Sequence, residues 1–418
     1  MEVPISSNIT TLTWEYCPEE LLLLIFEKLN FRSLLSCMAV NRRWKVIILH
    51  YIELHSLWPK VFSETMVHNG RTFKNNSCLS LKGMCMNSML WTSVPQARIT
   101  LHHTYEEQNV TCLHVYKDTM ILTTKTETGR PIKYYNITNS ELMKSVSSAG
   151  VKAITECREN DHMFVYVGAE FRAFGKVTPL DTEHDYNRMA GYETENLLYK
   201  MEDNVCYVYI SSFFVTFALT WNKKKWKLAA RGRYYGNAHD TVYAINVFNG
   251  RVCLLTKLGF ILCENRETKS YHKVNSHNLL ASIRDSTVLE MFDYNKVAVS
   301  VANNDKQRVT VCRKIKSDFM WLSCENMTCC TQHGAVLFIG FKDGEIAIYT
   351  PPTTTASKNG QMSRLFNVKD FDSSIQQPSI CRLEVFEDTL SHHLLVVTQE
   401  KVLQLLFTYP EHIRACYE

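Results

Sequence analysis

At 418 residues the chain exceeds one ordinary hydrophobic core, so it folds as two or more domains or as a repeat array. Apolar residues at 45% and charged residues at 21% exclude global disorder, and only 15 Gly and 10 Pro exclude collagen-like or linker-dominated chains. A formal net charge of +4 is too balanced to mark a nucleic-acid binder, while scattered short runs of Leu, Ile, Val, Phe, Tyr and Thr point to many strands.

The opening Met1-Glu2-Val3-Pro4-Ile5-Ser6 has neither the basic nor the apolar region of a secretory leader. The uncharged stretch Val205 to Trp221 is interrupted by Ser211, Ser212, Thr216 and Thr220 and falls short of a membrane span; its β-branched and aromatic residues suit paired strands. The 15 cysteines are therefore expected as reduced thiols of a cytoplasmic or nuclear protein, with no membrane partner.

Residues 14–58 carry helical periodicity. Pro18 suits a first helical turn, and Glu19 and Glu20 follow it, favourable beside the positive helix N-terminus. Leu21, Ile25 and Leu29 form one stripe at i, i+4 and i+8, and Leu22 and Phe26 form a second. Ser33 is the expected cap of a short second helix through Leu34, Leu35 and Met38, and Asn41 that of a third carrying Trp44, Ile47 and Ile48. Three such helices bury too little surface to stand alone, and their apolar excess points to a partner protein's groove.

The stretch Cys17-Pro18-Glu19-Glu20-Leu21-Leu22, with Ile25-Phe26, Leu29, Leu34-Leu35, Val40-Asn41-Arg42-Arg43-Trp44 and Leu57-Trp58, resembles an F-box. That family's pattern is Leu-Pro, an acidic pair, an Ile-Leu helix, then Val-Cys, two basic residues and Trp, with a trailing Leu-Trp. Cys17 stands here for the leading Leu and Asn41 for the usual Cys. The resemblance implies docking to the Skp-type adaptor of a cullin-RING ubiquitin ligase, with the rest of the chain presenting a protein client. Carried over by position, Pro18, Leu21, Leu22, Ile25, Leu29, Leu34, Leu35, Val40 and Trp44 are the implied adaptor contacts. Some of these must instead pack the three helices together, and their order along the chain does not sort them.

Residues 59–96 are irregular. Asn75-Asn76-Ser77 is turn-like, and Met84, Met86, Met89, Leu90 and Trp91 form an apolar cluster, as expected of a partly helical connector that packs on both neighbours. From residue 97 to about 410, short β-like runs recur at roughly 40- to 50-residue spacing. In the clearest unit, Val336-Leu337-Phe338-Ile339-Gly340 leads into Asp343-Gly344, a tight turn, and Ile346 and Ile348 alternate on the returning strand. This resembles the second half of a WD repeat, with Tyr349 where Trp usually stands. Units beginning at His239 and at Val110 are similar, and fainter copies place seven starts near 110, 151, 198, 242, 288, 327 and 380. No Trp-Asp pair ends any unit, and the Gly-His entry is reduced to Ala238-His239. The expectation is a mostly β protein: a three-helix F-box at 14–58, a connector at 59–96, and a divergent seven-bladed β-propeller at 97–410. The alternating Ala97-Arg98-Ile99-Thr100-Leu101 is the expected strand that closes the ring on the last blade.

Enzymatic motifs are missing: there is no Gly-x-Ser-x-Gly, His-Glu-x-x-His, phosphate loop or dinucleotide fingerprint. Cys329-Cys330 are adjacent and alternate faces in a strand, and His102-His103 and His392-His393 flank apolar runs as expected loop or edge residues, so no metal, cofactor or catalytic residue is expected. The charged feature is Lys223-Lys224-Lys225-Trp226-Lys227 through Arg231 and Arg233, six basic residues in eleven with no acid. It is either a solvated hairpin tip or a cradle in which Lys223, Lys224, Lys225, Arg231 and Arg233 hold an acidic or phosphorylated client segment. It is too short and too poor in interleaved aromatics for nucleic acid. The function implied is client recognition for an SCF-type (Skp–cullin–F-box) ubiquitin ligase. A non-degradative F-box scaffold, or a propeller enzyme with an F-box-like segment by chance, is the alternative.

Overall fold

The computed structural model describes residues 17–38, 40–62, 80–116, 118–127, 131–146, 151–155, 164–168, 171–174, 186–188, 197–202, 205–210, 215–222, 225–233, 242–248, 251–256, 261–265, 267–268, 270–273, 286–293, 296–303, 306–315, 318–333, 336–350, 361–388 and 391–414. The chain is mostly β, preceded by a helical region.

The helices are α1 (Glu19–Phe26), α2 (Phe31–Cys37), α3 (Arg42–Leu54), α4 (Trp58–Phe62) and α5 (Leu81–Leu90), which runs directly into a 3-10 turn at Trp91–Gln96. Caps mark their starts. Pro18 precedes α1 in an extended conformation, and Glu19 and Glu20 fill its first turn. Asn41 caps α3 as expected, its side-chain oxygen accepting from the Trp44 N–H at 2.8 Å. The cap of α2 is Asn30 and not Ser33: the Asn30 side chain accepts from the Ser33 N–H at 2.9 Å, so Ser33 lies inside the first turn. Asn30 takes the cap because it is itself extended, just before the first helical turn, and its side-chain oxygen reaches forward to the unpaired N–H of that turn.

The described strands form seven four-stranded antiparallel sheets in which consecutive strands are neighbours. The first holds β2 (Val110–Tyr116), β3 (Thr119–Thr124), β4 (Ile132–Asn136) and β5 (Leu142–Val146). The second holds β6 (Val151–Thr155), β7 (Phe164–Gly168), β8 (Phe171–Phe174) and β9 (Tyr186–Arg188). The third holds β10 (Leu197–Glu202), β11 (Val205–Ile210), β12 (Val215–Asn222) and β13 (Lys225–Arg233). The fourth holds β14 (Val242–Phe248), β15 (Arg251–Thr256), β16 (Ile261–Glu264) and β17 (Tyr271–Lys273). The fifth holds β18 (Ser286–Asp293), β19 (Lys296–Asn303), β20 (Lys306–Ile315) and β21 (Asp318–Glu325). The sixth holds β22 (Met327–His333), β23 (Val336–Phe341), β24 (Glu345–Thr350) and β25 (Gln361–Asn367). The last is built from both ends of the domain: β26 (Arg382–Asp388), β27 (Ser391–Val397) and β28 (Val402–Thr408) are completed by β1 (Arg98–Tyr105). The β1–β28 register runs from Arg98↔Thr408 to Tyr105↔Val402, the pairing expected of the alternating residues after Ala97. A short α6 (Glu411–Arg414) follows.

First strands touch first strands: β26 lies against β2, β2 against β6, β10 against β14, β14 against β18, β18 against β22, and β22 against β26. Sheets therefore stack face to face, and both faces of a central strand are buried. This is why β23 and β27 read as unbroken apolar runs. Val336 and Phe338 join one core while Leu337 and Ile339 join another. Leu394 and Val396 pack towards the sixth sheet, and Leu395 and Val397 towards the first. The Asp343-Gly344 turn needs its glycine. Gly344 has φ of +89°, and an added Cβ would lie 2.6 Å from Cβ of Pro378. Cys329 and Cys330 do fall on opposite faces, one in each core.

His392 and His393 are not loop or edge residues. They sit buried in β27, because the neighbouring sheets cover both of its faces.

Candidate docking surface

α1 is apolar around most of its circumference, and packing divides it in two. Leu22 and Phe26 point into a core with Leu34, Leu35, Met38, Ile47, Ile48, Ile52 and Val61, and Phe26 meets the Trp44 ring edge-on at 5.5 Å. Leu21, Leu24 and Ile25, at i, i+3 and i+4, face outward with 50, 57 and 41% of their surface exposed. Val40, between α2 and α3, is 60% exposed, and Val46 and Leu54 extend an apolar edge along the outer face of α3. Large apolar side chains left this open on adjoining short helices are uncommon in a finished monomer surface.

The nine positions carried over from the family pattern therefore separate. Pro18, Leu21, Ile25 and Val40 are exposed. Leu29 and Trp44 are half-buried against the helical core. Leu22, Leu34 and Leu35 are fully buried, so they hold the helices together and have no surface to offer a partner. Leu24, Val46 and Leu54 are outward residues that the stripe reading passed over; the i+3 spacing of Leu24 from Leu21 was the available signal.

α5 joins this unit to the sheets. Cys85 and Met86 belong to the helical core, whereas Leu90, Trp91, Val94 and Ala97 belong to the core between the sixth and last sheets. The Asn87 side-chain amide donates to the Asp388 carbonyl at 3.0 Å, and the Trp91 indole N–H donates to the Glu387 carboxylate. His333 bonds the same carboxylate at 2.7 Å. Burial opposes ionisation of Glu387, but the His333 charge and hydrogen bond and the N–H donated by Trp91 outweigh it and hold the carboxyl down at about 2.

Of the basic run, Lys223 and Lys224 lie outside the described residues. Lys225, Arg231 and Arg233 are in β13, the outermost strand of its sheet, with Lys225 opposite Asn222 and Arg231 at a register shift between Gly232 and Ala230. Their side chains are not described. Among the described residues no group of three or more His, Cys, Asp or Glu is placed to hold a metal ion, and no helix is long and apolar enough to cross a membrane.

Comparison with known proteins gives two kinds of likeness. Residues 14–63 match the F-box-like family, so an F-box-like domain spans α1 to α4. No curated protein matches the chain by sequence. Among solved structures, the N-terminal domain of Nup159 superposes with a TM-score of 0.50 at 10% identity, over 75% of this chain and 96% of that one. The β-propeller domain of Myceliophteria thermophila Cps50 (Swd1) superposes with a TM-score of 0.49 at 8% identity, over 74% and 99%. At such identities the likeness concerns the fold alone. The molecule thus joins an F-box-like helical domain, a protein-interaction module, to a β-rich part of four-stranded antiparallel sheets.

Proposed function

We propose that the chain is the substrate-receptor subunit of an SCF-type ubiquitin ligase. The F-box-like helices dock a Skp-type adaptor and, through it, the cullin-RING core. The observation that carries this is the outward apolar stripe of Leu21, Leu24 and Ile25 beside Pro18, inside the segment that matches the F-box-like family. Val40 belongs to the same docking set by its exposure. The seven sheets are the blades of a closed WD-like propeller. Supporting this are the four-stranded repeat, the contact of first strand with first strand, and the entry of β1 into the last sheet. Closure buries the faces of neighbouring blades against one another and leaves only the outermost strand of each as an edge, and it gathers the loops of several blades at one end for a protein client. The 223–233 run supplies a basic blade edge suited to an acidic or phosphorylated segment of that client. Catalysis belongs to the partner ligase, and this chain contributes positioning.

The test is co-purification of the full chain with a Skp-type adaptor. Leu21→Asp combined with Ile25→Asp removes two exposed apolar contacts worth about 1.5–3 kcal/mol each on full burial. Binding should therefore weaken by at least about a hundredfold while the helical signal in far-UV circular dichroism stays unchanged. Full binding by a folded double variant overturns the docking assignment. Where docking holds, a client whose lifetime is unchanged on depletion of this chain favours the scaffold alternative.

A further inference from the structure

In the fourth sheet, Cys253 of β15 and Cys263 of β16 are directly opposite partners in an antiparallel ladder. Residues so placed have Cα atoms about 4.5–5.5 Å apart, inside the roughly 4.4–6.8 Å that a disulfide spans. Their sulfurs approach to 2.9 Å, and both side chains are buried. The lateral row continues outward, for Cys263 is opposite His272 of β17. Partners across a ladder share a face, so the order on this face is Cys253, Cys263, His272. His272 is exposed, and β17 is a three-residue strand at the outer edge of its sheet. Leu254 and Leu262 face the other way, into the core with Tyr207 and Val247, so the thiols are not filling that core. Close opposition of two thiols one strand in from a short edge is more than small apolar packing requires.

We infer that Cys253 and Cys263 form an oxidisable dithiol, a covalent modification site whose reagent is a peroxide. The Cys263 thiolate, nearer the open edge, attacks one oxygen of hydrogen peroxide. The O–O bond breaks, a sulfenic acid forms, and the displaced hydroxide leaves as water with the thiol's proton. The Cys253 thiol then attacks that sulfur; the S–S bond forms, the S–O bond breaks, and a second water departs. Two thiols and one peroxide give one disulfide and two waters, the sulfurs losing the two electrons that the peroxide gains. Small thiols reverse the step by exchange. This inference is independent of adaptor docking.

Trypsin cleaves after Lys257, between the two cysteines, so their peptides separate unless bonded. Full-length reduced protein is treated with hydrogen peroxide, quenched, denatured with iodoacetamide and digested without reductant. The expected product is the 252–257 peptide joined to the 258–266 peptide, lighter than the two free peptides together by two hydrogen atoms. Buried Cys85, alone in α5, should stay alkylated. In protein unfolded with urea before oxidation the same linkage should fall to the level of other cysteine pairs. The assignment is overturned if both peptides stay alkylated to the same extent as that of Cys85. It is equally overturned if the joined peptide forms as readily from unfolded chain, since nearness in sequence would then explain it. Cys263→Ala should leave Cys253 alkylated, and the wild-type comparison decides the matter even if that variant does not fold.

Discussion

His392 stacks on Trp91 with ring centroids 4.0 Å apart and planes 6° from parallel. Its Nδ1 meets the Tyr409 hydroxyl at 2.7 Å, while Nε2 finds no hydrogen-bond partner among the described residues. A proton on Nε2 would be stranded in an apolar core, and burial pushes the imidazole down to about 3; the His333 and His393 charges act in the same sense, and Glu387 opposes them. The unfolded chain takes up this proton near pH 6.5 and the folded chain does not. Stability contributed by the neutral ring is therefore present above pH 6.5 and lost as pH falls from 6.5 towards 3. His393, pushed down to about 4 chiefly by burial, acts in the same sense, and Glu387 adds to it below the ordinary carboxylate range. Replacing His392 by Phe keeps a stacked ring and removes one site of proton uptake. The slope of unfolding free energy against pH between 4 and 6 should become shallower by up to about 1.4 kcal/mol per pH unit. Denaturant melts across that range measure it, and an unchanged slope means that His392 already carries its proton in the fold.

Among the elements, β1 is the one supplied from the far end of the chain. Among the described strands β28 is its one ladder partner, and Ile99 and Leu101 pack on the core shared with Trp91. Proline at Leu101 removes a backbone donor opposite Leu405 and an apolar contact at once. A cost near 3 kcal/mol lowers the melting temperature by roughly 5 °C in a β-rich part of this size. A melting point within error of wild type would show that β1 contributes nothing to the last sheet. Elements of this kind were legible in the sequence where the signal was local. α1 to α3 follow from stripes and the Asn41 cap, and the β23–β24 hairpin from Asp343-Gly344 between apolar runs. β1 was legible from strict alternation. The ring of partners around Trp91 was not, because residues 333, 387, 392 and 407 meet it only after the sheets have stacked. For the same reason the sequence mixed buried Leu22, Leu34 and Leu35 with exposed Leu21 and Ile25. Periodicity names the faces of a helix without saying which one other helices will cover.

At the scale of the molecule, the charge is −1 over residues 1–58, +3 over 59–96 and +2 over 97–418, so more of the mild basicity lies in the connector than in the β-rich part. The two parts are coupled through α5 and its 3-10 extension, which lie in both cores without a break. A ligand on α1 should therefore stabilise more than the helices. Adaptor at a hundred times its dissociation constant stabilises the state it binds by about 2.7 kcal/mol. If α5 transmits that cooperatively, amides of β27 and β28 that open only by global unfolding should exchange more slowly by the same free energy, about a hundredfold. Trp91→Ala removes the stack on His392, the edge contacts with Phe338 and Phe407, and the N–H donated to Glu387. It leaves the helical core residues and the outward Leu21, Leu24 and Ile25 untouched. The variant should therefore bind adaptor with wild-type affinity yet lose the protection of β27 and β28, while protection within α3 persists. Hydrogen exchange with and without adaptor separates the outcomes. Equal protection of β27 in wild type and variant would place the coupling elsewhere than at Trp91. No protection of β27 even in wild type would mean that the helices and the sheets unfold independently, with α5 a tether instead of a shared strut.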